Sequence, residues 1–120
     1  MIVDGAMNDL IRPTLYEAHH EIRPVDVNRA SSARIRADIV GPVCESGDYL
    51  AKDRDISMPR RGELLALGSA GAYGAVQSGT YNSRLLVPEV LVKGDEFHVI
   101  RPRLSYDDLI ALDSLPPWLS

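Results

Sequence analysis

Cys44 is the only cysteine in this sequence, and it is followed directly by Glu45, Ser46, Gly47 and Asp48. Two readings stand side by side. A lone thiol is often a small buried hydrophobe. A thiol where an apolar strand gives way to a loop, beside two carboxylates, is placed like a site residue on a rigid element. A neighbouring carboxylate favours the protonated thiol, which suits a proton donor better than a nucleophile. No strong base adjoins Cys44, so a cysteine hydrolase has little support. The segment Gly71-Ala72-Tyr73-Gly74 is a second candidate, because glycines on both sides let a tyrosine ring and hydroxyl meet a phosphate or a flat ring closely. It matches neither the Walker nor the dinucleotide spacing, and tyrosine beside glycine is also common in plain turns. Arg12 and Tyr16 are four residues apart, so a helical turn puts both on one side, where they could hold a carboxylate. The plainer reading of Arg12 is a surface ion pair with Asp9 or Glu17. His19 and His20 are adjacent and point to different faces of a helix or a strand. With His98 they are three scattered histidines, and no metal site is expected.

The elements that must position these residues read as mainly β, with short helices at both ends. The run Ile2-Val3-Asp4-Gly5 reads as the end of a strand. Residues 7–20 carry helical apolar spacing, broken by Pro13, so a turn or two on either side of that proline is expected. Ile35, Ala37 and Ile39 alternate with Arg34, Arg36 and Asp38, the period of a half-buried strand. That strand is expected to run on to Cys44, with Gly41-Pro42 marking an edge, a bulge or a bend. Asp48 is expected to cap a short turn over residues 49–52, and residues 52–55 to form a charged loop. A compact apolar strand is expected over 63–67, and a hairpin with arms 86–92 and 96–100 around Lys93-Gly94-Asp95. Ser105 with Asp108 forms a capping box that opens a helix through Leu109, Ile110 and Leu112, closed by Pro116-Pro117.

Composition narrows the function classes. The 120 residues suit one domain, and 45% hydrophobic with 25% charged residues is a globular balance. One cysteine excludes an internal disulfide. Thirteen basic against seventeen acidic residues give a net charge of −4, which argues against a nucleic-acid partner. No apolar run approaches the ~20 residues of a membrane span, so no membrane partner is expected and the protein is read as cytoplasmic.

Taken in order, four segments resemble the C-terminal portion of the diaminopimelate decarboxylases, pyridoxal-phosphate enzymes of the alanine-racemase-like decarboxylase group. They are Met7-Asn8-Asp9-Leu10-Ile11-Arg12-Pro13-Thr14-Leu15-Tyr16, Gly41-Pro42-Val43-Cys44-Glu45-Ser46-Gly47-Asp48, Gly71-Ala72-Tyr73-Gly74 and Tyr81-Asn82-Ser83-Arg84. The cysteine-glutamate-serine-x-aspartate motif is the most specific part. Related ornithine and arginine decarboxylases usually carry aspartate after the cysteine, so Glu45 points to diaminopimelate.

The resemblance implies a β-sandwich or β-barrel-like C-terminal domain spanning 1–120. Within it, 1–21 would be the junction with a cofactor-bearing (β/α)8 barrel, 22–103 the strands and 104–120 a C-terminal helix and tail. It implies conversion of meso-2,6-diaminopimelate to L-lysine and carbon dioxide, in lysine biosynthesis, by a homodimer with active sites at the subunit interface. Cys44 would be the proton donor, reaching the partner subunit's site, and Glu45 would hold the distal ammonium of the substrate. Arg12 and Tyr16 would bind substrate carboxylate, and Tyr73 would contact both the substrate and the phosphate of pyridoxal 5′-phosphate. Nothing here resembles the barrel itself. Lys52 and Lys93 are the only lysines, and neither has the setting of a desolvated Schiff-base amine. The chain is therefore expected to be a C-terminal piece, inactive alone. The alternatives are the matching domain of an ornithine, arginine or carboxynorspermidine decarboxylase, and a non-catalytic β interaction module.

Overall fold

A computed structural model describes residues 1–31 and 33–119. The chain falls into two compact units, Met1–Ser78 and Gly79–Ser120. In the described residues the named strands form two-stranded antiparallel sheets, Ile2 makes an isolated parallel bridge to Val40, and the helices are short. The mainly β expectation with short helices holds.

The first unit contains α1 (Arg12–Tyr16), β1 (Ile22–Pro24), β2 (Arg34–Val40), β3 (Tyr49–Ser57), β4 (Leu65–Leu67) and α2 (Ala72–Gln77). β2 pairs with β3, and β1 with β4. The alternation in β2 is as read: Ile39 is fully buried, whereas Arg34 and Arg36 face out. Ile39 and Ile56 anchor an aliphatic core with Leu10, Ile22, Leu50 and Ala51. The N-terminal residues lie beside β2, where the Val3 N–H donates to the Val40 carbonyl at 2.9 Å and the Val40 N–H to the Met1 carbonyl at 2.9 Å.

Three expectations fail in the middle of this unit. β2 stops at Val40, so Cys44 lies in a bend rather than at a strand end. Residues 49–52 and 52–55 are neither a capped turn nor a loop, because both lie within β3. Their pattern misled because β3 carries extra residues relative to β2: the pairing steps from Ala37↔Arg54 to Ile39↔Ala51 and then to Val40↔Tyr49. Such bulges shift the side-chain alternation out of phase, which buries both Leu50 and Ala51. Asp53 takes a positive φ of 50° at the first of them. The charges of this stretch lie along a strand, where Arg34 Nε meets the Asp55 carboxylate at 2.9 Å and Arg36 pairs with Asp53. That bond to Arg36 is what holds the Asp53 carboxyl below its ordinary range.

Other elements shift at their ends. Pro13 does not split a longer helix; it sits in the first turn of α1, where no intrahelical N–H is required. β4 starts at Leu65 because Glu63 belongs to the preceding turn, where its carboxylate accepts from the Arg60 N–H at 2.7 Å and pairs with Arg29 at 3.1 Å.

The second unit holds the hairpin β5 (Glu89–Lys93) and β6 (Glu96–Arg101), then α3 (Tyr106–Ile110). Its turn falls at Gly94-Asp95, with Gly94 at φ 64°. The first arm begins at Glu89 rather than at 86, just after Pro88, whose nitrogen cannot donate to a ladder. α3 opens on the expected capping box but ends at Ile110, short of Leu112. Both strands of the hairpin expose apolar side chains, among them Leu91, Val92, Phe97 and Ile100. No helix among the described residues is long and apolar enough to cross a membrane.

The capping box carries a pH signature. Hydrogen bonds from the Ser105 side chain and backbone hold the Asp108 carboxyl below the usual carboxylate range. A carboxyl lowered on folding gives stability that is present above the unfolded-chain value of about 4 and is lost as pH falls through the lower folded value. Ser105→Ala is therefore expected to move the Asp108 titration upward, as followed by carboxyl chemical shifts. Coincident titrations in the two proteins would show that the cap does not form.

Candidate functional site

Three of the five residues read as site residues come together in the first unit. α1 presents Arg12 and Tyr16 on one side, as their spacing requires, with the guanidinium 5.8 Å from the centroid of the Tyr16 ring. α2 brings up Tyr73, whose ring centroid lies 5.4 Å from the same guanidinium. Arg12 is thus flanked by two aromatic rings, each within the ~6 Å range of cation–π attraction. The rings limit where the guanidinium can swing and leave its N–H edge for a planar anion. Both rings are exposed, Tyr16 by 58% and Tyr73 by 65%.

The helices meet because Gly74 is buried at their contact. A Cβ there would lie 3.2 Å from Leu10 Cδ1, so α2 packs on the segment leading into α1 through a residue without a side chain. Gln77 is a neighbour that the sequence reading missed. It is one helical turn beyond Tyr73, and its Nε2 lies 3.4 Å from the Tyr16 hydroxyl. The (i, i+4) spacing of Tyr73 and Gln77 was the available signal.

Cys44 and Glu45 stand on the loop between β2 and β3. Cys44 is exposed, so the reading of its thiol as core filler is wrong. The loop owes its shape to Asp48, which is only 5% exposed. Its carboxylate accepts from the Val43 N–H at 2.6 Å and, across the chain, from the Met7 N–H at 2.7 Å. Gly41 makes room for that carboxylate, since a Cβ at this position would lie 2.7 Å from Asp48 Cγ. The Asp48 N–H donates to the Glu45 carbonyl at 3.0 Å, and the Glu45 carboxylate accepts from the Gly47 N–H at 3.2 Å. Thr14 Oγ1 donates to the Gly47 carbonyl and the Tyr49 hydroxyl to the Pro13 carbonyl, which ties the loop to α1 itself. A buried carboxylate bonded to two backbone N–H groups is a rigid anchor. Asp48 thus holds the Cys44–Glu45 loop on the same scaffold that carries Arg12.

An exposed thiol beside a carboxylate and an arginine between two tyrosines can respectively donate a proton, hold a cation and bind an anion. The chain belongs to the pyridoxal-dependent decarboxylases: the model of that family's C-terminal sheet domain matches residues 1–71. Among curated relatives it is 50% identical over 119 residues to diaminopimelate decarboxylase of Zymomonas mobilis, covering 99% of this chain and 28% of that protein. It is 51% identical over 116 residues to diaminopimelate decarboxylase of Pseudomonas aeruginosa, covering 97% of this chain and 27% of that protein. Among solved structures, the M. jannaschii diaminopimelate decarboxylase in complex with L-lysine superposes with a TM-score of 0.88 at 37% identity. That match covers 99% of this chain and 27% of the other. The chain therefore spans little more than a quarter of the relatives it matches.

Proposed function

We propose that this chain is the C-terminal domain of a diaminopimelate decarboxylase. In that role it supplies the proton donor and part of the substrate-binding surface for conversion of meso-2,6-diaminopimelate to L-lysine and carbon dioxide. The observation that carries the reading is the Arg12 guanidinium flanked by Tyr16 and Tyr73, on one scaffold with the exposed Cys44–Glu45 loop. The exposed apolar residues of the hairpin support a domain that works inside a longer protein. The functional unit is a cytoplasmic homodimer in which Cys44 serves the partner subunit's site, as the family resemblance implies.

Each residue then has a physical task. Arg12, with Tyr16, binds a substrate carboxylate through its N–H edge, and Glu45 holds the distal ammonium. Pyridoxal phosphate, when bound, supplies the electron sink for loss of carbon dioxide. The Cys44 thiol then gives its proton to the carbon that lost the carboxylate. The Tyr73 hydroxyl is a donor suited to an anion, so it fits the phosphate end of the cofactor. The lysines do not fit its carbonyl end. Lys52 is exposed and stacked 3.9 Å over the Tyr49 ring, and Lys93 is exposed at the end of β5.

The test is release of carbon dioxide and formation of L-lysine from meso-diaminopimelate, with ornithine and arginine as competing substrates. The intact enzyme is expected to prefer diaminopimelate, and the 120-residue chain with added pyridoxal phosphate to release nothing. Preference for ornithine or arginine would move the chain to the related decarboxylases. No decarboxylation by the intact protein would favour a binding module, and steady turnover by the 120-residue chain would refute the division of labour proposed here.

A further inference from the structure

Resting on that reading, we infer that His20 is a positioning residue: its imidazole fixes where α2 stands against α1 and thereby holds Tyr73 against Arg12. His20 is 3% exposed, and its Nδ1 lies 3.0 Å from the Gly68 carbonyl oxygen. Nε2 is buried without a hydrogen-bond partner among the described residues. Nδ1 therefore donates to the Gly68 carbonyl, because a carbonyl oxygen can only accept.

Gly68 is where β4 ends. Its N–H donates to the Glu21 carbonyl at 2.8 Å, next to the Ile22↔Leu67 pair of the β1–β4 ladder. Residues 20 and 21 thus take both backbone groups of Gly68, one through a side chain and one through the main chain. Both site helices lead off from this clamp. Tyr16, the last residue of α1, is four residues before His20, and α2 begins four residues after Gly68. Each connection turns through a residue at positive φ, Glu17 and Ser69, both at 54°. Four residues span at most ~14 Å, so the clamp bounds how far each helix can stand from it and keeps α1 and α2 in reach of one another. Gly74 against Leu10 and the long, exposed Gln77–Tyr16 hydrogen bond also link the helices, but packing at a small residue can slide, whereas a buried hydrogen bond is directional.

The imidazole also marks which substitutions separate positioning from filling. Asparagine places its amide nitrogen close to where Nδ1 lies, so His20→Asn retains the donor. His20→Leu keeps the bulk and strands the Gly68 carbonyl. In the intact enzyme His20→Leu is expected to raise KM for diaminopimelate about tenfold, the weight of one buried hydrogen bond, with kcat within about threefold. His20→Asn is expected to return KM to within about threefold of wild type. The second readout is amide hydrogen exchange, which needs no catalysis. Residues 69–77 should exchange faster in His20→Leu by about tenfold while β2 and β3 keep their protection, and His20→Asn should restore the slow exchange. Equal behaviour of the two variants, wild-type exchange at 69–77 in His20→Leu, or acceleration spread through β2 and β3 would each overturn the inference. If the wild-type protein decarboxylated nothing, the functional reading would fall while the exchange data still judged the clamp.

Discussion

Replacing Cys44 by alanine in the intact enzyme is expected to lower kcat by on the order of 10²-fold or more while leaving the fold almost untouched. The two halves of that expectation rest on different observations. The thiol is exposed, and the aliphatic core around Ile39 and Ile56 does not include it. The loop that carries it is held by the Asp48 carboxylate and by Thr14, through groups that Cys44→Ala leaves in place. A surface substitution of this kind changes stability by roughly 0.5 kcal/mol or less. Turnover differs, because the proton is needed only after the carboxylate has left, so its donor stabilises a transition state and not the bound substrate. KM should therefore move little. Single-turnover measurements on folded Cys44→Ala protein, set beside its melting curve, decide the matter. Wild-type turnover would remove Cys44 from the chemistry, and a large loss of stability with normal turnover per folded molecule would return it to a structural role.

The residues of the candidate site were more legible in the sequence than the loop that presents two of them. Arg12 and Tyr16 were paired by helical spacing alone, and α1 places them as that spacing requires. The glycines beside Tyr73 were read as letting its ring meet a phosphate or a flat ring closely, whereas the close approach that Gly74 makes is to Leu10. The capping box at Ser105 and the hairpin turn at Gly94-Asp95 were local patterns with local outcomes. What failed depended on pairing across the chain. The bulges in β3 disrupt the alternation that a strand would otherwise advertise, so 52–55 looked like a loop. Asp48 looked like a local cap because its second partner, the Met7 N–H, lies 41 residues away. His20 likewise takes its meaning from a carbonyl 48 residues on. Local structure could be read from local sequence, and the long-range contacts that hold it in place could not.

Arg12 offers the other large effect, and its aromatic setting makes the expectation specific. Arg12→Ala removes the guanidinium from between the Tyr16 and Tyr73 rings and, on the proposed reading, leaves a substrate carboxylate without its partner. Loss of one member of a desolvated charge pair typically costs ~2–5 kcal/mol, about 30-fold to several thousand-fold in kcat/KM. Arg12→Lys separates charge from shape. Lysine keeps the positive charge but has neither the planar fork that grips a carboxylate with two parallel bonds nor the flat face that lies over an aromatic ring. If charge alone mattered, Arg12→Lys would recover most of the activity. The geometry predicts instead that it recovers only a small part, with the deficit mainly in KM if the carboxylate is bound equally in ground and transition states. The two rings add a control. Tyr73→Phe keeps the ring over Arg12 and removes the hydroxyl, so it should preserve the placement of the guanidinium while weakening the contact assigned to the cofactor phosphate. Its dissociation constant for pyridoxal phosphate should rise while KM for diaminopimelate changes much less than in Arg12→Lys. Full activity in Arg12→Lys would reduce the arginine to a source of positive charge, and the two rings around it would lose the positioning role that their geometry gives them.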